Sequence, residues 1–113
     1  MVGYVGRKDL AQEAVTVVEG DGGRAIAVEA LTLILARELR GRDVTVNTVA
    51  PGPTASEMFF EGKDEETIAR LAAAPPLERL GTPADIAEVV AFLAGPRGHW
   101  VNGQTVRANG GLV

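Results

Sequence analysis

One stretch constrains this chain more than any other. Residues 44–49 open with alternating β-branched side chains, Val44 and Val46 leading to Val49, behind the breaker Gly41. They then run into Pro51-Gly52-Pro53. The alternation predicts a buried strand. The prolines fix φ and remove two backbone donors, and Gly52 lets the chain turn or approach a neighbour closely. The strand must therefore end there. Thr54 and Ser56 place hydroxyls and amides just past its C-terminal end, the end at which open α/β sheets bind ligands. From the residues alone, a sharp strand-to-helix turn accounts for the stretch as well as a frame for a flat polar ring does.

The remaining chain supplies helices and a second strand. Thr82-Pro83-Ala84-Asp85 is the clearest helix start, with Thr as N-cap, Pro at the first position and Asp three residues on. Ile86, Val89, Val90 and Leu93 form its apolar stripe, and Gly95-Pro96 ends it. Asp64 starts another helix with Ile68 and Leu71 inward, stopped by Pro75-Pro76. Residues 24–41 read as a helix whose buried face carries Val28, Leu31, Ile34, Leu35 and Leu39. A short strand at residues 25–28 is the alternative, but it leaves almost no room for a turn. Residues 2–5 form a short apolar strand. Asp9 and Gln12 have capping-box spacing, and Leu10, Ala14, Val17 and Val18 fall on one helical face before Gly20, Gly22 and Gly23. Residues 104–108 form the last strand, expected beside residues 44–49 in parallel register with a right-handed helical crossover. His99, the sole histidine, has no acidic pair or cysteine at ligand spacing and reads as a surface loop residue. Trp100 reads as a packing anchor.

Composition narrows the classes. With 113 residues the chain is one domain, and 46% hydrophobic with 23% charged residues is globular. A net charge of −4 argues against nucleic acid and an anionic membrane surface as partners. No cysteine means no disulfide framework, which suits the cytoplasm. No apolar run reaches about 18 residues, so no spanning helix is expected. The opening Met1-Val2-Gly3-Tyr4 lacks the basic and apolar regions of a signal peptide.

Three segments carry a family resemblance. Asn47-Thr48-Val49-Ala50-Pro51-Gly52-Pro53-Thr54-Ala55-Ser56 resembles the N-x-[IV]-x-P-G-x-[IVT]-x-[TS] segment of short-chain dehydrogenases/reductases. Leu77-Glu78-Arg79-Leu80-Gly81-Thr82-Pro83-Ala84-Asp85-Ile86-Ala87 resembles their P-L-x-R-x-G-x-P-E-D-I-A segment. Val101-Asn102-Gly103-Gln104, followed by Asn109-Gly110-Gly111, resembles their closing V-N-G-Q-x-x-x-x-D-G-G, with Asn109 where the family usually has Asp. The segments keep the family's order over residues 47–111. Arg24-Ala25-Ile26-Ala27-Val28 resembles the third strand of that family, while residues 28–40 resemble the helix after its catalytic Tyr-x-x-x-Lys. The two are fused near residues 28–29, so a single domain of residues 1–113 is expected to lack the family's central block.

The resemblance implies a reduced, incomplete Rossmann-like α/β domain, with a parallel sheet of two or three strands and about four helices. It implies NADP or NAD as cofactor and hydride transfer between nicotinamide and a carbonyl or alcohol carbon. By the same resemblance Asn47, Pro51, Gly52, Pro53, Thr54 and Ser56 belong to the cofactor site. Arg7, with Lys8 adjacent, stands after the second strand, where basic residues face the 2′-phosphate of NADP. Met58-Phe59-Phe60 falls in the substrate-loop region. The helix of residues 29–40 and residues 84–113 correspond to subunit interfaces, which implies a homo-oligomer.

The catalytic parts are missing from this pattern. No Gly-x-x-x-Gly-x-Gly or Gly-x-Gly-x-x-Gly opens a helix after a strand, and no Asn-Asn-Ala-Gly segment occurs. In the register of the long helix, Asp21 and Ala25 fall where the catalytic Tyr and Lys would be. Asp offers no phenolic proton and Ala holds no ribose. The sole tyrosine, Tyr4, has Lys8 four residues on, but in a strand context rather than a helical one. No catalytic or metal-binding residue is therefore assigned. Two expectations follow: an inactive oxidoreductase relative that binds its cofactor weakly or not at all, or a non-catalytic self-association module.

Overall fold

The computed structural model describes residues 2–7, 14–17 and 22–113. In chain order these residues form β1 (Val2–Arg7), β2 (Ala14–Val17), α1 (Gly22–Glu38), β3 (Val44–Pro51), α2 (Glu57–Phe60), α3 (Glu65–Ala73), α4 (Pro83–Ala94), a 3₁₀ turn (Pro96–Gly98) and β4 (Thr105–Ala108). The architecture is α/β with four helices, and the strand order in the sheet is β2-β1-β3-β4. The parallel part is the two-stranded β3–β4 pair, with Thr48 opposite Thr105 and Pro51 opposite Ala108. That pairing is the one expected from the sequence.

The other two strands depart from expectation. β1 pairs antiparallel with β3, Val2 opposite Val49 and Arg7 opposite Val44. β2 pairs antiparallel with β1, Val2 opposite Val17. Ala14 and Val17 were expected on a helical face but lie on this strand; Asp9, Leu10, Gln12 and Val18 lie outside the described residues. The run Ala14-Val15-Thr16-Val17 is rich in β-branched residues, so a strand satisfies it locally. An edge of β3 left without a neighbouring strand exposes unpaired N–H and C=O groups. β1 covers that edge, and β2 covers β1.

α1 begins at Gly22 and runs to Glu38, so the helical reading of residues 25–28 holds. Gly41, with φ of 80°, follows it in the left-handed region that stops helices. The buried face differs from the expected one. Leu31 and Ile34 are each 51% exposed, whereas Thr32 is buried. Val28, Thr32, Leu35, Ala36 and Leu39 recur at three- and four-residue intervals and form the stripe laid on the sheet. Thr32 hydrogen-bonds Thr48 of β3 through its hydroxyl and donates to the Val28 carbonyl at 2.8 Å. A stripe centred on Thr32 turns Leu31 and Ile34 to its flank.

α4 follows the sequence closely. The Thr82 hydroxyl accepts from the Asp85 amide, and the Asp85 carboxylate accepts from the Thr82 amide at 2.8 Å, a complete capping box. Ile86, Val89 and Val90 pack against the buried pair Val49 and Leu93. α3 is capped by Asp64, whose carboxylate accepts from the Thr67 amide at 2.8 Å. Ile68 and Leu71 are half-buried, and the helix ends at Ala73 before Pro75. After α4 the chain makes a tight turn at buried Gly98, where any Cβ would collide with the Phe92 carbonyl. Trp100, expected as a packing anchor, stands at the tip of this turn and is 98% exposed. Val101 takes the inward place instead, against the Val49–Leu93 core.

Candidate functional site

β3 delivers the Pro-Gly-Pro loop to the C-terminal end of the parallel pair. Two contacts fix its course. The Gly52 amide donates to the Ala108 carbonyl at 2.9 Å. A Cβ on Gly52 would lie 2.7 Å from the Asn109 Cα, so only glycine permits this approach. Gly52 thus joins the loop to the Asn109-Gly110-Gly111 turn. Beyond it the loop runs parallel to residue 81: the Gly81 amide donates to the Pro53 carbonyl and the Ala55 amide to the Gly81 carbonyl, both at 2.8 Å.

This bridge decides what Thr54 can offer. Its neighbours Pro53 and Ala55 make the hydrogen bonds toward Gly81, so the N–H and C=O of Thr54 point to the other side of the ribbon. Neither has a hydrogen-bond partner among the described residues. The Thr54 hydroxyl is turned inward and donates to the Gly52 carbonyl at 2.9 Å. Ser56 caps α2, its oxygen accepting from the Phe59 amide at 3.2 Å; its proton is still available to donate. Next to the loop Met58 and Phe60 are exposed, and Lys63 lies over the Phe59 ring while donating to the Phe59 carbonyl at 2.6 Å.

Asn47 is fully buried and committed to structure. Its amide nitrogen donates to the Val101 carbonyl at 2.8 Å, and its oxygen accepts from the Gln104 amide at 3.1 Å. Asn102 reciprocates, accepting from the Val46 amide at 2.8 Å. The Gly103 amide donates to the Val46 carbonyl and the Thr48 amide to the Gln104 carbonyl, both at 2.8 Å. The Asn47 and Val101-Asn102-Gly103-Gln104 segments, far apart in sequence, are therefore two halves of one clamp. That clamp sets the β3–β4 register and hence the position of the loop above it.

Pro51, Gly52, Pro53, Thr54 and Ser56 are brought together at one end of β3. Arg7 is not. It pairs with Val44, at the opposite end of an eight-residue strand from Pro51. Seven steps of about 3.3 Å separate the two ends by about 23 Å. β1 runs antiparallel to β3, which places the Arg7 backbone at the end of the sheet away from the loop. Tyr4 also lies on β1, opposite Asn47. Lys8, four residues on, lies outside the described residues.

Below the loop, Arg79 makes a two-pronged ion pair with Asp85, at 2.7 and 3.2 Å. Arg79 foremost, then the Thr82 amide and hydroxyl, hold the Asp85 carboxyl well below the usual carboxylate range. The cavity these residues line with Gly52 and Gly81 is about 240 Å³, smaller than the usual range for small-molecule sites. Among the described residues no group of His, Asp or Glu could hold a metal ion, and no helix is long and apolar enough to cross a membrane.

The family model described as enoyl-(acyl carrier protein) reductase matches residues 11–113. A short-chain type dehydrogenase/reductase of Picea abies is 45% identical over 90% of this chain and 46% of its own length. An NADPH-dependent aldehyde reductase-like chloroplastic protein of Arabidopsis thaliana is 52% identical over 77% of this chain and 32% of its own. Among solved structures, a blue fluorescent protein from a metagenomic library in complex with NADPH superposes with a TM-score of 0.70 at 38% identity, over 78% of this chain and 35% of that one. The chain belongs to the short-chain dehydrogenase/reductase family. It spans 46% and 32% of the length of these two curated relatives.

Proposed function

We infer that this chain derives from a nicotinamide-dependent oxidoreductase, keeps the carboxamide end of that cofactor site, and as an isolated 113-residue chain transfers no hydride. The observation that carries the reading is the unpartnered N–H and C=O of Thr54 beyond the end of β3. A carboxamide offers one acceptor and two donors in a plane, which complements one backbone donor and one backbone acceptor. The Ser56 proton adds a further donor to that end. When bound, a nicotinamide would supply or accept the hydride, and the residues here only orient its ring. Family relatives named as NADPH-dependent and a neighbour complexed with NADPH support NADP(H) as the cofactor class.

Nothing in the chain supplies the rest of the reaction. No glycine cradle follows a strand, and Arg7 lies at the far end of β3. Acid–base catalysis contributes roughly 10²–10⁴-fold and positioning about 7–11 kcal/mol, and the groups for both are missing. Calorimetric titration with NADPH and NADH tests this. The expected affinity is weaker than about millimolar, below about 4 kcal/mol; micromolar binding would overturn the reading. Nicotinamide absorbance followed with ketone, aldehyde and 3-oxoacyl substrates should show no turnover above the uncatalysed rate.

A second reading, a non-catalytic self-association module, is favoured by one observation. Leu31, Leu33 and Ile34 leave a row of exposed apolar side chains along α1, and such a row is commonly covered by a partner. On this reading two copies meet through α1. Sedimentation at high micromolar concentration should give a dimer or larger species, unchanged by NADPH. A monodisperse monomer would count against it.

A further inference from the structure

The end of β3 opposite the Pro-Gly loop carries an open groove of about 760 Å³ between the end of α1 and the turn before β4. This volume lies within the range of small-molecule sites. Arg37 and Arg40, three residues apart, share its lining with His99 and Trp100. Leu39 and Val44 add apolar side chains to the same lining. Both arginines are exposed, and neither has a carboxylate at ion-pair distance among the described residues. The carboxylate at the rim, Asp43, is engaged by His99 Nε2 at 2.9 Å. β1 brings a further arginine to this end of the sheet, since Arg7 pairs with Val44.

Arg37 in the last turn of α1 and Arg40 just past its end are favourable in themselves, because they complement the helix dipole. Alone they would indicate no ligand. The indole of Trp100 is a separate observation. A side chain of that size is rarely left 98% exposed, and here it shares the groove lining with two arginines that have no acidic partner among the described residues. Guanidinium forks recognise carboxylate and phosphate in two-pronged fashion, and an indole face takes flat rings.

We propose that this groove binds a small planar aromatic anion, an aryl carboxylate or aryl phosphate, with the anion on Arg37 and Arg40 and the ring against Trp100. The site lies about 23 Å along β3 from the Pro-Gly loop, so it is separate from the nicotinamide end of the molecule. Trp100 is the only tryptophan, so its fluorescence reports on the groove directly. The 113-residue chain is titrated with phenyl phosphate, benzoate, inorganic phosphate and phenol. A saturable change is expected with phenyl phosphate or benzoate below about 10 mM. Its midpoint should lie about tenfold below those for inorganic phosphate and phenol. Saturation by phenyl phosphate alone narrows the ligand to aryl phosphates, and by benzoate alone to aryl carboxylates.

The double variant Arg37→Gln/Arg40→Gln, with unchanged circular dichroism, should raise the midpoint about tenfold. Arg40→Lys, which keeps the charge and loses the fork, should raise it about threefold, and it tests the same point should the double variant not fold. Arg42→Gln, outside the groove lining, should leave it unchanged. The proposal is overturned by a linear response matching that of free N-acetyltryptophanamide. Equal midpoints for phosphate and phenyl phosphate would reduce the groove to an anion site, and equal midpoints for phenol and phenyl phosphate would reduce it to an apolar cleft; each also overturns it. So does a midpoint that ignores the arginine changes.

Discussion

The two helices that cover β3 do so by different means. On one face α4 closes a dry cluster in which Val49 and Leu93 are almost wholly buried and Ile86, Val89 and Val90 pack around them. On the other face α1 meets the sheet through a hydroxyl pair, Thr32 on Thr48, and leaves Leu31 and Ile34 to solvent. Apolar burial is non-directional and scales with area, whereas a hydroxyl pair contributes little net energy but is costly to half-remove. The α4 side therefore supplies stability. The α1 side supplies register and leaves Leu31 and Ile34 exposed.

The largest effect that could break this contrast is Leu93→Ala. Removing a buried leucine should cost about 2–5 kcal/mol by urea denaturation; a loss under about 1 kcal/mol would mean that the cluster is not the core. Next is Asn47→Ala, which strands the Val101 carbonyl and the Gln104 amide beneath the loop. A loss of about 2–3 kcal/mol is expected, with amide exchange accelerated in β4 before α4. Uniform acceleration would show that the clamp does not act locally.

On the α1 face Thr48→Val alone should cost about 1 kcal/mol, because the Thr32 hydroxyl loses its cross-element partner. Thr32→Val combined with Thr48→Val should recover part of that loss, since both polar groups are then gone. A double variant worse than the sum of the singles would show that α1 needs its hydroxyls for more than register.

A smaller effect concerns acid. Asp85 is held well below the usual carboxylate range by Arg79 first and by Thr82 next. A depressed folded value means that this stabilisation is present above the unfolded value, about pH 4, and is lost as the pH falls through the depressed one. The pair is exposed, so the loss should be shallow and weakened by salt. Asp85→Asn should flatten the acid limb of a melting-temperature profile on the α4 side while leaving the neutral limb parallel to wild type. The smallest change in stability is expected for Leu31→Lys, within about 0.5 kcal/mol in a monomeric background. The same substitution should shift the sedimentation profile toward monomer if α1 is the contact face, and should leave it alone if the chain associates elsewhere.

The contrast between the faces also separates what could be read from the residues. Thr82, Pro83 and Asp85 announce α4 because a capping box is satisfied within four residues. The stripe of Ile86, Val89, Val90 and Leu93 needs only helical periodicity to point inward. Residues 44–53 state a strand and its end by chemistry alone. Leu31 and Ile34 were misplaced because periodicity gives a stripe but not its rotation toward the sheet, and the hydroxyl pair of Thr32 and Thr48 set that rotation. Ala14 and Val17 fit a helical face and a strand equally well, so the bare edge of β1 decided between them. In the candidate site, Thr54 could be singled out from sequence. The orientation of its amide could not, because it depends on Gly81 pairing with Pro53 and Ala55. That Asn47 clamps β3 to the segment before β4 is visible only through its distant partners Val101 and Gln104.

The sequence by itself therefore determined the helix ends, the β3–β4 pair, the Pro-Gly loop and membership of the family, because each rests on bonds and periodicities a few residues long. Tertiary structure alone decided that β1 runs antiparallel into the edge of β3, carrying Arg7 away from the loop, and that Trp100 stands in solvent at a groove it lines with Arg37 and Arg40. The physical reason is range. Caps and stripes are satisfied within the segment that carries them, whereas edge pairing and the juxtaposition of residues 37–40 with residue 100 require groups that meet only once the sheet has assembled.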